Sequence, residues 1–396
     1  MTHSTASENQ PLKTSHLPAK RIGINLNRIY EGHRRLFALC LILGGVFASH
    51  MAAWAHERSL IDAVKLPGDM TFCGEAVPSE VGQVRERFEK EMLLSLWDRP
   101  QVLLWLKRSP RYFPFIEQQL KELGLPDDLK YLAVAESALR PHAGSFKGAV
   151  GFWQLMPETA RRYGLTVDRF IDERRNLNLS TPAALGYLKA LHQKFESWTL
   201  ALAAYNMGEE GLTAEVLEQD TKNYYHLYIP LETQRFIFRL LSIKLILTDP
   251  EAYGFAIQSE DRYKPIDFDT VGVDCFKEVP IQLIAEAAGT YFKNIKDLNP
   301  HLRGHYVQAG HLKINVPAGK AKGFNDRFKK LVAKFSRTLR QRIYIVQNGD
   351  SLSEIADKFE VPLAAILIWN RLDLKRPIHP GDRLIIYPRR LSDVRP

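Results

Sequence analysis

The sequence predicts an α+β protein in which a mainly helical domain is followed by two small strand-helix-helix-strand modules. Three observations support this prediction. Apolar residues recur at spacings of three and four from residue 84 to residue 248, as in amphipathic helices. After Pro250 the chain changes to short strand-like runs with single helices between them. This second region also repeats itself, and 396 residues are enough for two or three domains.

Residues 1–55 are predicted to be an export signal or a membrane anchor. Basic residues precede an apolar run at 36–48, and the small residues after it end in Ala53-Trp54-Ala55, the pattern of a signal peptidase site. An uncleaved anchor is the alternative, because residues 36–55 are long enough to span a bilayer and contain only one ionisable side chain, His50. Both alternatives predict an exported protein.

Two cysteines, Cys73 and Cys275, remain outside the N-terminal segment, since Cys40 lies inside the apolar run. In an oxidising compartment such a pair can form a disulfide, here between the segments before and after the helical domain. Two buried free thiols are the alternative. The 12 histidines and three cysteines show no metal-ligand spacing, so we predict neither a metal nor a cofactor.

The helical region is predicted to form a lead-in at 56–110 and a domain at 111–250. Proline and glycine disfavour helices, and they separate the periodic runs from one another. The predicted breaks are at Pro110, Gly124, Pro141 and Gly164. Neither a strand-helix-strand alternation nor a glycine-rich phosphate loop occurs in this region, so an all-α domain is expected.

The two modules are predicted at 265–318 and 342–390. A shift of 71 positions aligns the first copy on the second without a gap from residue 279 onwards. The identities in that register include Ile284-Ala285 on Ile355-Ala356, Asn299 on Asn370, Gly310 on Gly381, Ile314 on Ile385 and Pro317 on Pro388. In the second copy, Ser351 and Glu354 are spaced as a helix-capping pair. The repeat therefore predicts two copies of one unit.

Residues 319–341, between the copies, are predicted to form a basic amphipathic linker helix. Such a helix can lie on an anionic membrane or wall polymer. The alternative is that its apolar stripe packs on the neighbouring domain with its charges in water. The net charge of the chain, +9, suits an anionic partner but does not choose among cell wall, membrane surface and nucleic acid.

Glu136 is the candidate catalytic residue. It shares one face of a predicted helix at 126–139 with Leu129, Leu132 and Ala133, so it occupies a position that the pattern reserves for burial. It also lies in the last turn, where the helix dipole is negative. Desolvation and the dipole both raise the pKa of a carboxyl group, and a carboxylic acid that stays protonated near neutral pH suits general-acid cleavage of a glycosidic bond. A core-edge glutamate paired with Arg or Lys is the alternative.

Four separated motifs favour the catalytic interpretation. They are Glu136-Ser137-Ala138, Gly148-Ala149-Val150-Gly151-Phe152-Trp153-Gln154-Leu155-Met156-Pro157, Ala203-Ala204-Tyr205-Asn206-Met207-Gly208 and Ile229-Pro230-Leu231-Glu232-Thr233. Their order and spacing resemble the lytic transglycosylases with a goose-lysozyme-like fold, over roughly residues 128–248. The second repeat resembles the LysM module, and the first resembles a degenerate copy of it.

The resemblance implies a role for each matched residue. Glu136 would protonate the glycosidic oxygen that leaves N-acetylmuramic acid and then deprotonate that sugar's 6-hydroxyl, which gives a 1,6-anhydro end. The other matched residues would bind and position the sugars; they are Ser145, Gln154, Met156, Tyr205, Asn206 and Glu232. Assistance by the 2-acetamido group of the substrate explains how one carboxylate suffices. Phe152 and Trp153 are expected to line the wall rather than to stack on sugars.

The LysM resemblance implies a binding site for glycan that contains N-acetylglucosamine. Its residues would be Gly349, Asp350, Ser351, Leu352, Pro380 and Gly381. The implied partner is the glycan strand of peptidoglycan, and contact with a membrane surface is expected only through the N-terminal segment and the basic linker. The resemblance implies no nucleic acid and a monomer in the periplasm, free or anchored by an uncleaved N-terminal segment.

One position departs from the family. Phe236 stands where the family usually has tyrosine, four residues after the Glu232 position. Either the missing hydroxyl weakens the orientation of Glu136, or Tyr224 or Tyr225 replaces it. Two other functions stay open: a lysozyme, which would need a carboxylate to activate water, and a binding protein with a decayed catalytic domain.

Overall fold

The structure is a computed structural model, and it describes residues 60–339, 343–373 and 377–387. The predicted signal or anchor at 1–55 lies outside these ranges. Within them, none of the helices has the length and apolar character needed to cross a bilayer.

Between residues 60 and 250, all of which are described, the chain forms nine α-helices and a short antiparallel hairpin. The helices are α1 (Leu60–Val64), α2 (Gly82–Trp97), α3 (Arg99–Leu123), α4 (Lys130–Ser137), α5 (Pro157–Arg162), α6 (Leu177–Phe195), α7 (Trp198–Met207), α8 (Glu209–Glu218) and α9 (Leu231–Thr248). The hairpin pairs β1 (Thr71–Phe72) with β2 (Glu75–Ala76). The prediction of a helical domain is confirmed, and the hairpin is an addition that the pattern did not predict.

Helix α3 runs through the predicted break at Pro110. The Asp98 side chain caps its first turn, and Gly124 ends it in the left-handed conformation (φ 64°). Pro110 and Pro114 both lie inside it. A proline removes a helix hydrogen bond, but the packing of a long buried face outweighs this loss. That face consists of Val102, Trp105, Leu106, Ile116 and Leu120. The predicted break is therefore wrong, and the predicted border at 110/111 lies inside one helix.

The lead-in shares one hydrophobic core with the rest of the helical domain. Phe72, Phe88 and Met92 are fully buried, and they belong to the same cluster as Trp153 and Leu240. Complete burial of a large apolar side chain stabilises a fold by about 1.5–3 kcal/mol. The lead-in is therefore an integral part of the helical domain.

The chain after residue 265 forms two modules of the predicted strand-helix-helix-strand type. The first consists of β3 (Phe268–Cys275), β4 (Val279–Pro280), α10 (Ile281–Ala287), α11 (Phe292–Leu298), β5 (Tyr306–Val307) and β6 (Gly310–Pro317), followed by α12 (Phe324–Leu339). The second consists of β7 (Ile343–Ile345), α13 (Leu352–Lys358), α14 (Leu363–Asn370) and β8 (Arg383–Ile385). Strand β3 pairs antiparallel with β6, β4 with β5, and β7 with β8.

The helices of the two modules coincide under the predicted shift, but the last strands do not. Asn299 and Asn370 each bond the last strand through both side-chain atoms, Asn299 to the backbone of Asn315 and Asn370 to that of Ile385. These spacings are 16 and 15 residues. The predicted match of Ile314 with Ile385 is therefore wrong by one residue. A one-residue slip exchanges the faces of a strand, and Ile385 is accordingly more exposed than the fully buried Ile314.

Helix α12 packs on the first module. Phe324 and Phe328 are buried in the core of that module, and Leu331 and Val332 pack against it. Of the two alternatives for the basic linker, packing on a neighbouring domain therefore describes this part of the helix.

Cys73 and Cys275 are free thiols in the structure, and both are buried. Cys73 belongs to the core of the helical domain and Cys275 to the core of the first module. The disulfide alternative is not formed, because each thiol is enclosed by its own core. Burial raises the pKa of both thiols, that of Cys275 to about 11, which leaves little reactive thiolate at neutral pH.

Candidate active site

Glu136 lies in the last turn of α4, directly before the chain turns away. Ala138 and Leu139 both adopt the left-handed conformation (φ 52° and 57°) and end the helix there. Within the part of the chain that the structure describes, no hydrogen bond or ion pair joins the half-buried carboxyl group to another residue. Burial raises the pKa of Glu136 to about 8, while the positive charge of Arg239 lowers it and the negative charge of Glu232 raises it. The carboxyl group is therefore mostly protonated at neutral pH.

Arg174 holds the loop between α4 and α5 in place through hydrogen bonds to its backbone. This buried guanidinium donates to the carbonyls of Gly148 (2.8 Å) and Leu155 (2.9 Å) and forms a bidentate pair with Asp172 (2.8 Å for both bonds). The loop approaches Arg174 so closely that a Cβ on Gly151 would lie 1.9 Å from the Arg174 carbonyl oxygen. Sequence reasoning missed Arg174, because nothing in its local pattern distinguishes it from a solvent-exposed arginine.

The same loop carries three of the predicted sugar-binding residues. Gln154 has a left-handed backbone (φ 47°), and its amide nitrogen donates to two carbonyls of the loop at 2.9 and 3.1 Å. The exposed Ser145 accepts a hydrogen bond from the Ala149 backbone nitrogen at 3.1 Å, and its hydroxyl keeps a hydrogen to donate. Met156 is 43% exposed at the end of the loop. Gln154 thus shapes the loop, and Ser145 and Met156 are accessible to a ligand.

Helix α7 carries Tyr205 and Asn206, and it brings Tyr205 close enough to Glu136 for the charge of the acid to act on it. The Tyr205 hydroxyl donates to the Trp153 carbonyl at 2.6 Å. Burial, and then the charge of Glu136, raise the pKa of Tyr205 well above its usual value. Asn206 accepts a hydrogen bond from the Thr233 hydroxyl at 2.8 Å, which leaves its amide nitrogen to donate. Trp153 is fully buried, in agreement with its predicted place in the wall.

The position of α7 depends on the lead-in. Glu75 of β2 accepts hydrogen bonds from the backbone nitrogens of Trp198 and Thr199, and from the hydroxyls of Ser197 (3.1 Å) and Thr199 (3.0 Å). A carboxylate at this end of a helix satisfies free N–H groups and complements the helix dipole. A side chain from outside the predicted domain therefore anchors the helix that carries Tyr205.

Glu232 belongs to a network of ion pairs that extends from α9 to the lead-in. Its carboxylate bonds Arg239, two turns later, at 2.9 Å, and this bond lowers the pKa of Glu232. The Arg239 Nε also lies 3.6 Å from the carboxylate of Glu91, which in turn binds Arg235. Glu91 is buried on α2. Sequence reasoning missed Glu91, although its place on the apolar face of α2 was a signal for a buried carboxylate.

Phe236 is buried in the core, and neither candidate tyrosine bonds Glu136. The Tyr224 hydroxyl donates to two backbone carbonyls in the first turn of α9, at 2.8 and 2.9 Å, so it fixes the start of that helix. The Tyr225 hydroxyl is buried and has no hydrogen-bond partner among the described residues. The charged neighbours that α9 offers the acid are Arg239 and Glu232.

The predicted glycan-binding residues of the second module lie in two of its loops and at the first residue of α13. They are Gly349, Asp350, Ser351, Leu352, Pro380 and Gly381. Asp350 accepts hydrogen bonds from the Tyr344 hydroxyl (2.8 Å) and the Gln347 backbone nitrogen (2.7 Å), which closes the first loop. Ser351 and Glu354 form the predicted capping box.

Comparison with known protein families places three domains along the chain. Residues 113–228 match the transglycosylase SLT domain, residues 267–333 match the LysM-like domain of lytic transglycosylase MltD, and residues 344–386 match the LysM domain. The predicted resemblance to lytic transglycosylases with C-terminal LysM modules is confirmed. Helix α12 begins within the matched LysM-like domain, in agreement with its packing.

Two curated relatives are both described as membrane-bound lytic murein transglycosylase D, from Escherichia coli strain K12 and from E. coli O6:H1 strain CFT073. Each is 30% identical over 294 residues, which cover 70% of this chain. The chain spans 64% of the length of these relatives. The crystal structure of the 70 kDa soluble lytic transglycosylase SLT70 from E. coli superposes with a TM-score of 0.32 and 18% identity, over 49% of this chain and 34% of that one.

Proposed function

We propose that this protein is a peptidoglycan lytic transglycosylase, because the chain matches a transglycosylase SLT domain, an MltD LysM-like domain and a LysM domain. It cleaves the β-1,4 bond between N-acetylmuramic acid and N-acetylglucosamine and leaves a 1,6-anhydro end on the muramic acid. The observation that carries this proposal is the half-buried carboxyl group of Glu136, which has no hydrogen-bond partner among the described residues and lies within the match to the transglycosylase SLT domain. Burial raises its pKa to about 8.

In the first step, Glu136 donates its proton to the glycosidic oxygen, and the bond from that oxygen to the muramyl C1 breaks. The leaving N-acetylglucosamine keeps the proton as its 4-hydroxyl. Glu136 is then a carboxylate, and it takes the proton of the muramyl 6-hydroxyl while that oxygen bonds to C1. The residue ends as it began, and no water is consumed. One side chain serves as acid and then as base because its pKa lies close to the working pH.

A single acid is enough when the substrate stabilises its own cationic transition state. The 2-acetamido group of the muramyl sugar supplies this assistance, which is a recognised exception to the use of two carboxylates. Glu232 stays ionised because its ion pair with Arg239 lowers its pKa. It therefore contributes a negative charge to the site but does not serve as a second acid. Its role is to support the bound substrate.

The remaining matched residues bind and orient the sugars. Ser145 donates its free hydroxyl hydrogen to the muramyl N-acetyl group, and Asn206 offers its amide nitrogen beside the acid. Met156 supplies apolar contact from the exposed end of the loop. Gln154 and Tyr205 mainly fix the conformation of the loop, since both side chains donate hydrogen bonds to its backbone carbonyls.

The LysM module binds the same polymer away from the cleft, through the loops that contain Asp350 and Gly381. Tethering to the polymer raises the effective concentration of substrate at Glu136. The site of action is the periplasm, with the N-terminal segment either cleaved or kept as an anchor.

Mass spectrometry of the sugars released from purified peptidoglycan tests this proposal. The wild-type protein is expected to release anhydro-muramyl products, and Glu136→Gln is expected to release none, since an amide cannot donate the proton. Reducing muramyl ends from the wild type would indicate a lysozyme instead. No release by either protein, with binding to peptidoglycan intact, would indicate a decayed enzyme that acts as a binding protein.

A further inference from the structure

An open cavity of about 190 Å³ lies between the helical domain and the first module, separate from the residues assigned to cleavage. Tyr112 of α3 and Phe268 of β3 contribute to a largely apolar wall. Arg111 and Arg175 contribute two guanidinium groups, and Asp297 contributes the one carboxylate of the lining. The cavity thus combines apolar surface with an excess of positive charge.

Backbone hydrogen bonds between the two domains hold the walls of this cavity in place. The Asp172 nitrogen donates to the His301 carbonyl at 2.8 Å, and the Arg303 nitrogen donates to the Phe170 carbonyl at 2.7 Å. On the other side of the cavity, the Arg111 side chain donates to a carbonyl of the segment that leads into β3, at 2.9 Å. The cavity is therefore a formed part of the junction between the two domains.

Arg175 is the group in this lining that most needs an anionic partner. Its Nε is buried and has no hydrogen-bond acceptor among the described residues. The carboxylate with which it pairs, Asp172, is 3.9 Å away and is already bound at 2.8 Å by both arms of Arg174. The guanidinium group of an arginine that lines a cavity suits a carboxylate ligand, which can accept two parallel hydrogen bonds from it.

A second cation lies near Arg175. Burial lowers the pKa of Lys296, and the positive charge of Arg175 lowers it further, so the two charges repel each other. Asp297 does not balance this charge fully, because it is bonded to Lys293 on the preceding turn of α11. A bound anion would relieve the repulsion between Arg175 and Lys296.

We infer that this cavity binds a carboxylate-bearing peptide, with the carboxylate on Arg175 and short side chains against the apolar wall. Under the proposed function, that peptide is the stem carried by the muramyl sugars, so one substrate would contact both the cleft and the junction. The small volume suits the last residue or two of a peptide. The inference rests on the proposed function for the identity of the ligand, but its test does not require cleavage.

The test is equilibrium binding of a muramyl peptide whose only carboxylate is C-terminal, compared with the same peptide as its C-terminal amide. The full-length protein is expected to bind the carboxylate form about tenfold more tightly, the size expected of one charge-assisted hydrogen-bonded pair. Arg175→Gln should abolish this preference, and Arg111→Gln should reduce it. Arg169→Gln, an exposed arginine outside this cavity, is the matched control and should keep it.

Equal binding of the two forms by the wild type would overturn the inference. So would a preference that survives in Arg175→Gln, provided that its melting temperature shows a folded protein. Failure of the proposed function is a separate result: a protein that cleaves no glycan but prefers the carboxylate form would retain this site and lose the enzymatic assignment.

Discussion

Gly151→Ala tests how tightly the α4–α5 loop is fitted to the chain beneath it. The new Cβ would lie 1.9 Å from the Arg174 carbonyl oxygen and 2.5 Å from its carbon. Normal contact needs about 3.5 Å, so the loop or Arg174 must move by roughly 1.5 Å. The positive φ of 88° adds backbone strain of about 1–2 kcal/mol for alanine. With overpacking of about 1–3 kcal/mol, the total loss of unfolding free energy is about 2–5 kcal/mol.

Gly148→Ala is the matched control. Its φ of 93° imposes the same backbone strain, but nothing lies within 4 Å of the added Cβ. In thermal unfolding we expect Gly151→Ala to lower the melting temperature by roughly 10 °C, and Gly148→Ala by about 4 °C. The clash should also slow cleavage more than the control does, because the loop carries Ser145 and Gln154. Equal losses of stability in the two variants would refute the close fit to Arg174.

The other predictions concern the acid, its charged neighbours and the second module. The pKa of Glu136 is about 8 in the folded protein and has an ordinary value of 4.5. The buried acid therefore does not lower the stability of the fold below pH 4.5, where it is protonated in both states, and it lowers that stability progressively as the pH rises towards 8. In denaturant unfolding, the free energy of unfolding of Glu136→Gln relative to that of the wild type should therefore rise by about 2–4 kcal/mol from pH 4 to pH 9. A difference that does not change with pH would contradict the raised pKa. For the same reason, wild-type cleavage should decline above about pH 8. Glu91→Gln leaves two arginines without their shared carboxylate and should cost about 2–3 kcal/mol in urea unfolding, while the exposed Glu86→Gln on the same helix should change stability by less than about 0.5 kcal/mol. Deletion of residues 342–396 should weaken binding to intact peptidoglycan more than it slows cleavage of short soluble fragments, and equal losses in both assays would contradict the division of labour.

Much of the fold could be predicted because periodic apolar spacing reports directly on helices. The exception at Pro110 arose because proline disfavours a helix only locally, whereas the buried face of α3 extends on both sides of it. The one-residue error in the last strand had a similar origin. The gapless alignment was anchored on the helices, and Asn299 and Asn370 show that the chain after them differs in length by one residue.

The candidate site could be predicted only where its residues lie in recognisable motifs. Glu136 and Tyr205 do, and the structure brings them together. Arg174, Glu75 and Glu91 do not, because each acts on a partner that is distant in sequence or on backbone atoms, and such contacts leave no local pattern. The buried position of Glu91 on α2 is the one case in which periodicity contained the signal.

Cleavage of peptidoglycan in oxygen-18 water is the most direct test of the central claim. The claim is that Glu136 takes the proton of the muramyl 6-hydroxyl while that oxygen bonds to C1, so that no water takes part. The expected result is that the muramyl ends released by the wild-type protein are anhydro and contain no oxygen-18. Muramyl ends that carry oxygen-18 at C1 as the initial product would contradict it, because they would show that Glu136 activates water and that the protein is a hydrolase.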